Sequence, residues 1–140
     1  MESSGKILVV DDESGIRYLL SEILADKGFN VSQAKDGQES LEQLKKNIFD
    51  LVITDINMPR LNGIEMLKSM KKAGRKEKII IMTANPLDKS QLDDEMPQII
   101  TQFCKPFNLN NFLNVVINAT VKNEFIKNES AEHHIKILSG

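Results

Sequence analysis

Short, nearly unbroken apolar runs of strand length alternate along this chain with longer stretches of helical period, and this alternation limits the fold more than any other feature. Lys6-Ile-Leu-Val-Val10 is rich in β-branched residues and stops on two aspartates, as a strand buried on both faces would. Ile16, Leu19, Leu20, Ile23 and Leu24 then form one helical stripe, closed by Lys27 and Gly28. Phe29 to Ala34 reads as a second strand. Asp36, with Glu39 three residues on, is a capping-box signal for a helix through Leu41 and Leu44. Leu51-Val-Ile-Thr-Asp55 repeats the strand, Asn62 and Glu65 repeat the cap, and Ile64, Leu67 and Met70 repeat the stripe, with Gly74 as the stop.

Lys78 to Thr83 carries four apolar residues in succession, which places a fourth strand near the sheet centre. From Asn85 to Met96 the apolar content is thin, prolines stand at 86 and 97, and Asp93-Asp94-Glu95 lies between them. The expectation there is a short or mobile fourth helix. Ile99 to Cys104 supplies the fifth strand. Asn108 caps a last helix with the stripe Leu109, Phe112, Leu113, Val116 and Ile117. Five strand–helix units predict an α/β domain with a parallel sheet, right-handed crossovers and helices on both faces. At 140 residues there is room for one such domain, over 1–122, and a polar tail or linker over 123–140.

A content of 41% hydrophobic and 27% charged residues is enough for one buried core. The formal charge of −2, with no dominant basic face, argues against nucleic acid as a direct partner. The polar N-terminus, the single cysteine and the absence of a bilayer-length apolar run point to a cytoplasmic protein with no membrane span. A monomer or weak dimer is the expectation for its assembly.

Ligands of open parallel sheets sit at the carboxyl ends of the strands. Those ends read Asp11 and Asp12, then Asp55, then Thr83, then Lys105. Two bare carboxylates about 4 Å apart repel by roughly 4 kcal/mol at an effective dielectric of 20, so three need a cation among them. Oxygen ligands without histidine or thiolate favour a hard ion, and a small site that keeps its waters suits Mg2+ better than Ca2+. Beside such an ion, Lys105 and Thr83 suit the oxygens of a phosphoryl group, and Asp55, between the paired acids and the lysine, is the candidate nucleophile.

The strings Ile-Leu-Val-Val-Asp-Asp (7 to 12), Asp-Ile-Asn-Met-Pro (55 to 59) with Gly63, Thr83-Ala84 and Lys105-Pro106-Phe107, in this order and spacing, resemble the receiver domains of two-component response regulators. The likeness covers about Lys6 to Val121. It implies the flavodoxin-like (βα)5 fold of the chemotaxis regulators, a doubly wound five-stranded sheet in the order 2-1-3-4-5. It further implies that Asp55 accepts phosphate from a histidine kinase or histidine phosphotransfer protein and that the chain catalyses only its own modification. By the same likeness Asp12 binds Mg2+ directly, Asp11 largely through water and Asn57 through its carbonyl. Thr83 and Lys105 hold phosphoryl oxygens, Asn57 and Asn85 flank the pocket, and the peptide before Pro106 is cis. The activated surface is then the fourth helix, fifth strand and fifth helix.

Gly15-Ile-Arg-Tyr-Leu-Leu20 is similar to the stand-alone receiver that relays phosphate in sporulation signalling. One position departs from the family. Receivers with output domains carry Tyr or Phe three residues before the lysine, as a switch coupled to the threonine, and here that residue is Gln102. Phe103 is adjacent, but strand alternation sends it to the opposite face. The departure fits a phosphate relay better than an effector switch.

Two other readings compete. One is a receiver fragment of a larger regulator or hybrid kinase. The other is an aspartyl-phosphate phosphatase, which needs an acid where Asn57 stands. Elsewhere Cys104 reads as a packed small hydrophobe, His133 and His134 as tail residues, and Lys68, Lys71, Lys72, Arg75, Lys76 and Lys78 as a solvated face.

Overall fold

The computed structural model describes residues 5–58 and 60–121. The calls on the tail, including His133 and His134, fall outside them. The elements are β1 (Lys6–Val10), α1 (Ser14–Asp26), β2 (Asn30–Ala34), α2 (Gly37–Lys46), β3 (Leu51–Thr54), α3 (Gly63–Lys72), β4 (Lys78–Thr83), β5 (Ile99–Cys104) and α4 (Leu109–Ala119). The strands form one parallel sheet in the order β2-β1-β3-β4-β5, as expected.

The unbroken apolar runs are explained by two cores, one on each side of the sheet. Leu8, Val10, Val52, Ile79 and Ile81 face Leu44, Met66, Leu67 and Met70 of α2 and α3. Ile7, Val9, Leu51, Ile53, Ile80 and Met82 face Leu20 and Leu24 of α1 and Phe112 and Val116 of α4. Every second residue of a central strand serves the opposite layer, so no polar alternation survives. The helical stripes are wider in sequence than the buried seams: Leu19, Leu109 and Ile117 lie at the outer margins of their helices and are exposed.

Three caps form as read. Asp36 accepts from the Glu39 N–H, Asn62 from that of Glu65 and Asn108 from that of Asn111. Glu39 reaches back one residue beyond the cap, to the N–H of Lys35 at 2.7 Å.

Between β4 and β5 the expected helix is absent, leaving four helices among the described residues. Residues 84–98 make turns instead, with Gln91 N–H on the Asp88 carbonyl and Met96 N–H on that of Asp93. The Asp88 carboxylate accepts from the Ser90 N–H, the Ser90 hydroxyl and the Gln91 N–H, and Asp93 accepts from the Glu95 N–H. These acids give local N–H groups a partner that a helix would have to outbid, and prolines bracket the segment. Leu87 and Met96 still anchor it in the α2/α3 core.

The register of β5 skips Ile100, so Gln102 pairs with Ile81 and Phe103 with Met82. Gln102 therefore belongs to the α2/α3 face. Phe103 lies on the other, in tilted contact with Phe107 and edge-to-face contact with Phe112, as alternation required.

The basic run is less uniform than its sequence implied. Arg75 turns inward to Glu77, and the Lys78 ammonium donates to the Ala119 carbonyl at the end of α4. Among the described residues no helix is long and apolar enough to cross a membrane.

Candidate functional site

Val10 and Thr54 are partners in the parallel ladder, so the residues that follow them, Asp11 and Asp55, emerge side by side. Backbone pairing continues one step past the strands: Asp11 N–H donates to Ala34, Asp55 N–H to Val10 and Lys105 N–H to Thr83. These bonds fix the roots of the three side chains. Ligand oxygens of Asp11, Asp12 and Asp55 all lie within 4.8 Å of one another, with Asp11 and Asp55 buried and Asp12 exposed.

Lys105 supplies part of the positive charge that this cluster needs. Its ammonium stands 2.9 Å from Asp11 Oδ2, 2.9 Å from Asp55 Oδ2 and 3.1 Å from Glu13 Oε1. The peptide from Lys105 to Pro106 is cis, as the family resemblance implied. Burial would lower the Lys105 pKa, but the bonds to Asp55, Asp11 and Glu13 outweigh it and hold the ammonium above its ordinary value. Burial pushes the Asp11 carboxyl up, against the pull of the Glu13 N–H and Lys105. One ammonium thus serves a cluster with more negative charge than it can neutralise.

Asp55 is held at both oxygens. Oδ1 accepts from Ile56 N–H at 2.6 Å and Asn57 N–H at 3.1 Å, while Oδ2 faces Lys105. This geometry needs a tight turn after β3, and Gly63 permits it. Its N–H donates to the Ile56 carbonyl, and a Cβ there would stand 2.5 Å from the Asp55 carbonyl oxygen. The same turn is tied to α2 through Gly37 N–H on Leu61 and an Arg60–Asp36 ion pair, with Arg60 at φ 67°.

Asn57 is exposed and meets the cluster through its N–H. Thr83 is fully buried at the end of β4, where its hydroxyl accepts from Asn85 N–H at 3.2 Å. Cys104, read as a packed hydrophobe, is instead exposed at the end of the edge strand.

Two residues of this neighbourhood were not singled out in the sequence. Glu13 shares Lys105, and Arg17 donates to the Asp11 carbonyl at 2.7 Å and to the Gln33 side chain. A third acid directly after the aspartate pair was the visible signal for Glu13. Arg17 had none, because an arginine four residues along a helix from a glutamate looks like an ordinary surface pair.

The chemistry of the set fits a hard divalent cation: three oxygen ligands in one small volume, two of them buried, with no nitrogen or sulfur donor.

Comparison with known proteins agrees with this geometry. The family described as response regulator receiver domain matches residues 7–117. Sporulation initiation phosphotransferase F of Bacillus subtilis is 40% identical over 112 residues, covering 79% of this chain and 90% of that protein. The response regulator TrrA of Thermotoga maritima, solved in complex with Mg2+ and BeF, superposes with a TM-score of 0.71 at 35% identity, over 82% of this chain and 98% of that one. The chemotaxis response regulator CheY4 of Vibrio cholerae does so with a TM-score of 0.75 at 30% identity, over 84% and 99%. A parallel sheet in this order, three aspartates and a lysine gathered at its carboxyl edge, and a family match spanning most of the domain lead to one assignment: the chain belongs to the response regulator receiver domains of two-component signal transduction.

Proposed function

We propose that Asp55 accepts a phosphoryl group from a phosphohistidine of a histidine kinase or phosphotransfer protein, with Mg2+ held by Asp11, Asp12, Asp55 and the Asn57 carbonyl. The observation that carries this reading is the Lys105 ammonium, 2.9 Å from both Asp11 and Asp55. A permanent cation lies against the candidate nucleophile while surplus carboxylates stand ready for a second one. When bound, Mg2+ would neutralise the carboxylates and draw charge from the phosphoryl oxygens.

In the transfer an Asp55 oxygen forms a bond to phosphorus, and the bond from phosphorus to the histidine nitrogen breaks, its electron pair staying on the imidazole. The Ile56 and Asn57 N–H groups orient the carboxylate for attack. Lys105 balances charge on the transferred group, and the Thr83 hydroxyl donates to one of its oxygens. Water attack at phosphorus breaks its bond to the Asp55 oxygen, releases inorganic phosphate and restores the carboxylate; the only catalysis proposed is of the chain's own modification.

Incubation with acetyl phosphate or phosphoramidate and Mg2+, followed by intact-mass measurement, tests the assignment. The expected result is a single phosphoryl adduct, lost in Asp55→Asn and retained in Thr83→Ala. An adduct of equal yield in Asp55→Asn refutes it.

A further inference from the structure

Of the three carboxylates at the rim, Asp12 has the least around it to hold it. Asp11 and Asp55 are buried and face the Lys105 ammonium, whereas Asp12 is exposed. A short carboxylate side chain goes where its Cα sends it, so the peptides on either side of Asp12 decide whether it meets the other two. Both peptides are held. The N–H between Asp12 and Glu13 donates to Asp11 Oδ1 at 2.9 Å. The carbonyl between Asp11 and Asp12 accepts from Arg17 Nη1 at 2.7 Å. Among the described residues no main-chain N–H reaches that carbonyl, so the guanidinium is what fixes it.

Arg17 is itself braced. Its Nε donates to Gln33 Oε1 at 3.2 Å, the Gln33 carbonyl accepts from Gln43 Nε2 at 3.2 Å, and the Tyr18 ring centre lies 5.3 Å from the guanidinium carbon. The arm thus spans from α1 to the β2 edge and is not free to swing as a surface arginine would. A planar fork with one nitrogen anchored on β2 presents another to the Asp11 carbonyl in a fixed direction.

We propose that Arg17 is a positioning residue for the divalent ion: by holding the Asp11 carbonyl it sets the peptide before Asp12, and so brings the Asp12 carboxylate to the rim beside Asp11 and Asp55. The inference rests on the Mg2+ reading of this cluster. Groups that orient a ligand change metal affinity although they never touch the ion. The two effects of Arg17 on that affinity have opposite signs. As a charge it repels a divalent cation; as a brace it favours one. The brace outweighs the charge, because a misdirected ligand is lost altogether while charge at an open rim is screened by water and salt.

Titration of the full chain with Mg2+, followed by the amide chemical shifts of Asp12 and Asn57, tests this, with urea midpoints taken in metal-free buffer. Arg17→Met removes the charge and both side-chain bonds. Mg2+ affinity is expected to fall by about tenfold, against the tightening that loss of a positive charge alone would produce. Arg17→Lys keeps the charge but not the fork, and should bind about threefold more weakly than the wild type, where a purely electrostatic role predicts no change. In an Asp12→Asn background Arg17→Met should change the affinity by less than about twofold, since the ligand it positions is gone. Unchanged or tighter binding in Arg17→Met overturns the proposal. So does a loss of about tenfold in the Asp12→Asn background, which would mean that Arg17 acts through another group. If urea shows that Arg17→Met does not fold, Arg17→Lys decides, and wild-type affinity there overturns the proposal. Absence of saturable Mg2+ binding by the wild type instead refutes the Mg2+ reading, and the inference falls with it.

Discussion

Each end of the sheet holds a buried ion pair, but only one of the two is balanced. At the amino-terminal end Arg75 meets Glu77 through two nitrogens, and its remaining donors reach the Leu44 and Asn47 carbonyls. Glu77 also accepts from Phe49 N–H. One cation faces one anion there, and every arm of the guanidinium is used. At the carboxyl end Lys105 faces Asp11, Asp55 and Glu13, with Asp12 beside them. The balanced pair ties α2 to the α3–β4 connection and has no capacity left for chemistry. The unbalanced one has spare negative charge, which is what a divalent ion needs, and the ion together with Lys105 would then offset the charge of a phosphoryl group.

The largest expected effect comes from breaking the balanced pair. Arg75→Met leaves a buried carboxylate without its partner and two carbonyls without donors, a loss of about 3 to 5 kcal/mol in urea unfolding. Phosphoryl uptake per folded molecule should not change. Lys105→Met should do the reverse. It should cost about 1 to 3 kcal/mol in metal-free buffer, abolish most uptake, and make the protein gain more melting temperature from added Mg2+ than the wild type does. Equal Mg2+ stabilisation in the two proteins would show that the lysine and the ion do not share the carboxylates.

Gly63→Ala belongs between these two regions, because it disturbs the turn that carries Asp55 and leaves both ion pairs alone. A Cβ 2.5 Å from the Asp55 carbonyl oxygen and 2.7 Å from Ile56 Cα meets backbone on both sides. Something must shift, at a cost of about 1 to 3 kcal/mol. Uptake from acetyl phosphate should slow as well, since the atoms that move are those that aim Asp55, the proposed nucleophile.

The balanced end was the harder to read in the sequence. Arg75 sits among lysines that do face solvent, and nothing in the spacing Arg75-Lys-Glu77 announces burial. Most of the unbalanced end was legible because Asp11, Asp55 and Lys105 each follow directly on a strand, and parallel strands bring their carboxyl ends to one rim, whereas Glu13, two residues past Asp11, was missed. The same periodicity that located the strands overstated the segment after β4. The strand–helix alternation suggested a short or mobile helix there in spite of the thin apolar content, whereas Asp88, Ser90 and Asp93 satisfy the local N–H groups as turns. The hydrogen bonds from the Gln102 side chain to the Leu87 main chain were invisible for a different reason. The departure from an aromatic at that position could be seen, but its partner is a backbone group, and backbone groups leave no mark in a sequence. Pairing across the sheet also depended on the register skip at Ile100, which composition does not encode.

Acid sharpens the comparison with a smaller effect. Burial alone would raise the Glu77 pKa, yet Arg75 and the Phe49 N–H outweigh it and hold the carboxyl below its usual 4.5. A carboxyl with a lowered folded-state value contributes stability that is complete above about pH 4.5 and is lost as pH falls through the lowered value. Each unit of difference is worth about 1.4 kcal/mol. Glu77→Gln should therefore be less stable than the wild type at neutral pH and lose less on acidification. Urea midpoints measured down through this range would show the two curves converging at low pH. Parallel curves would mean that Glu77 carries no net advantage as an anion.

The smallest effect is expected at Glu13, the one member of the lysine's shell outside the aspartate cluster. Its side chain is 61% exposed, so water screens its attraction to Lys105 and its removal should cost less than about 1 kcal/mol. Its charge still adds to the field in which a divalent ion would sit. Glu13→Gln should leave urea stability nearly unchanged, weaken Mg2+ binding severalfold, and make that binding less sensitive to salt than in the wild type. If stability falls as far as in Lys105→Met, Glu13 is part of what holds the lysine in place. The excess charge that distinguishes this end of the sheet would then be one carboxylate smaller than the geometry implies.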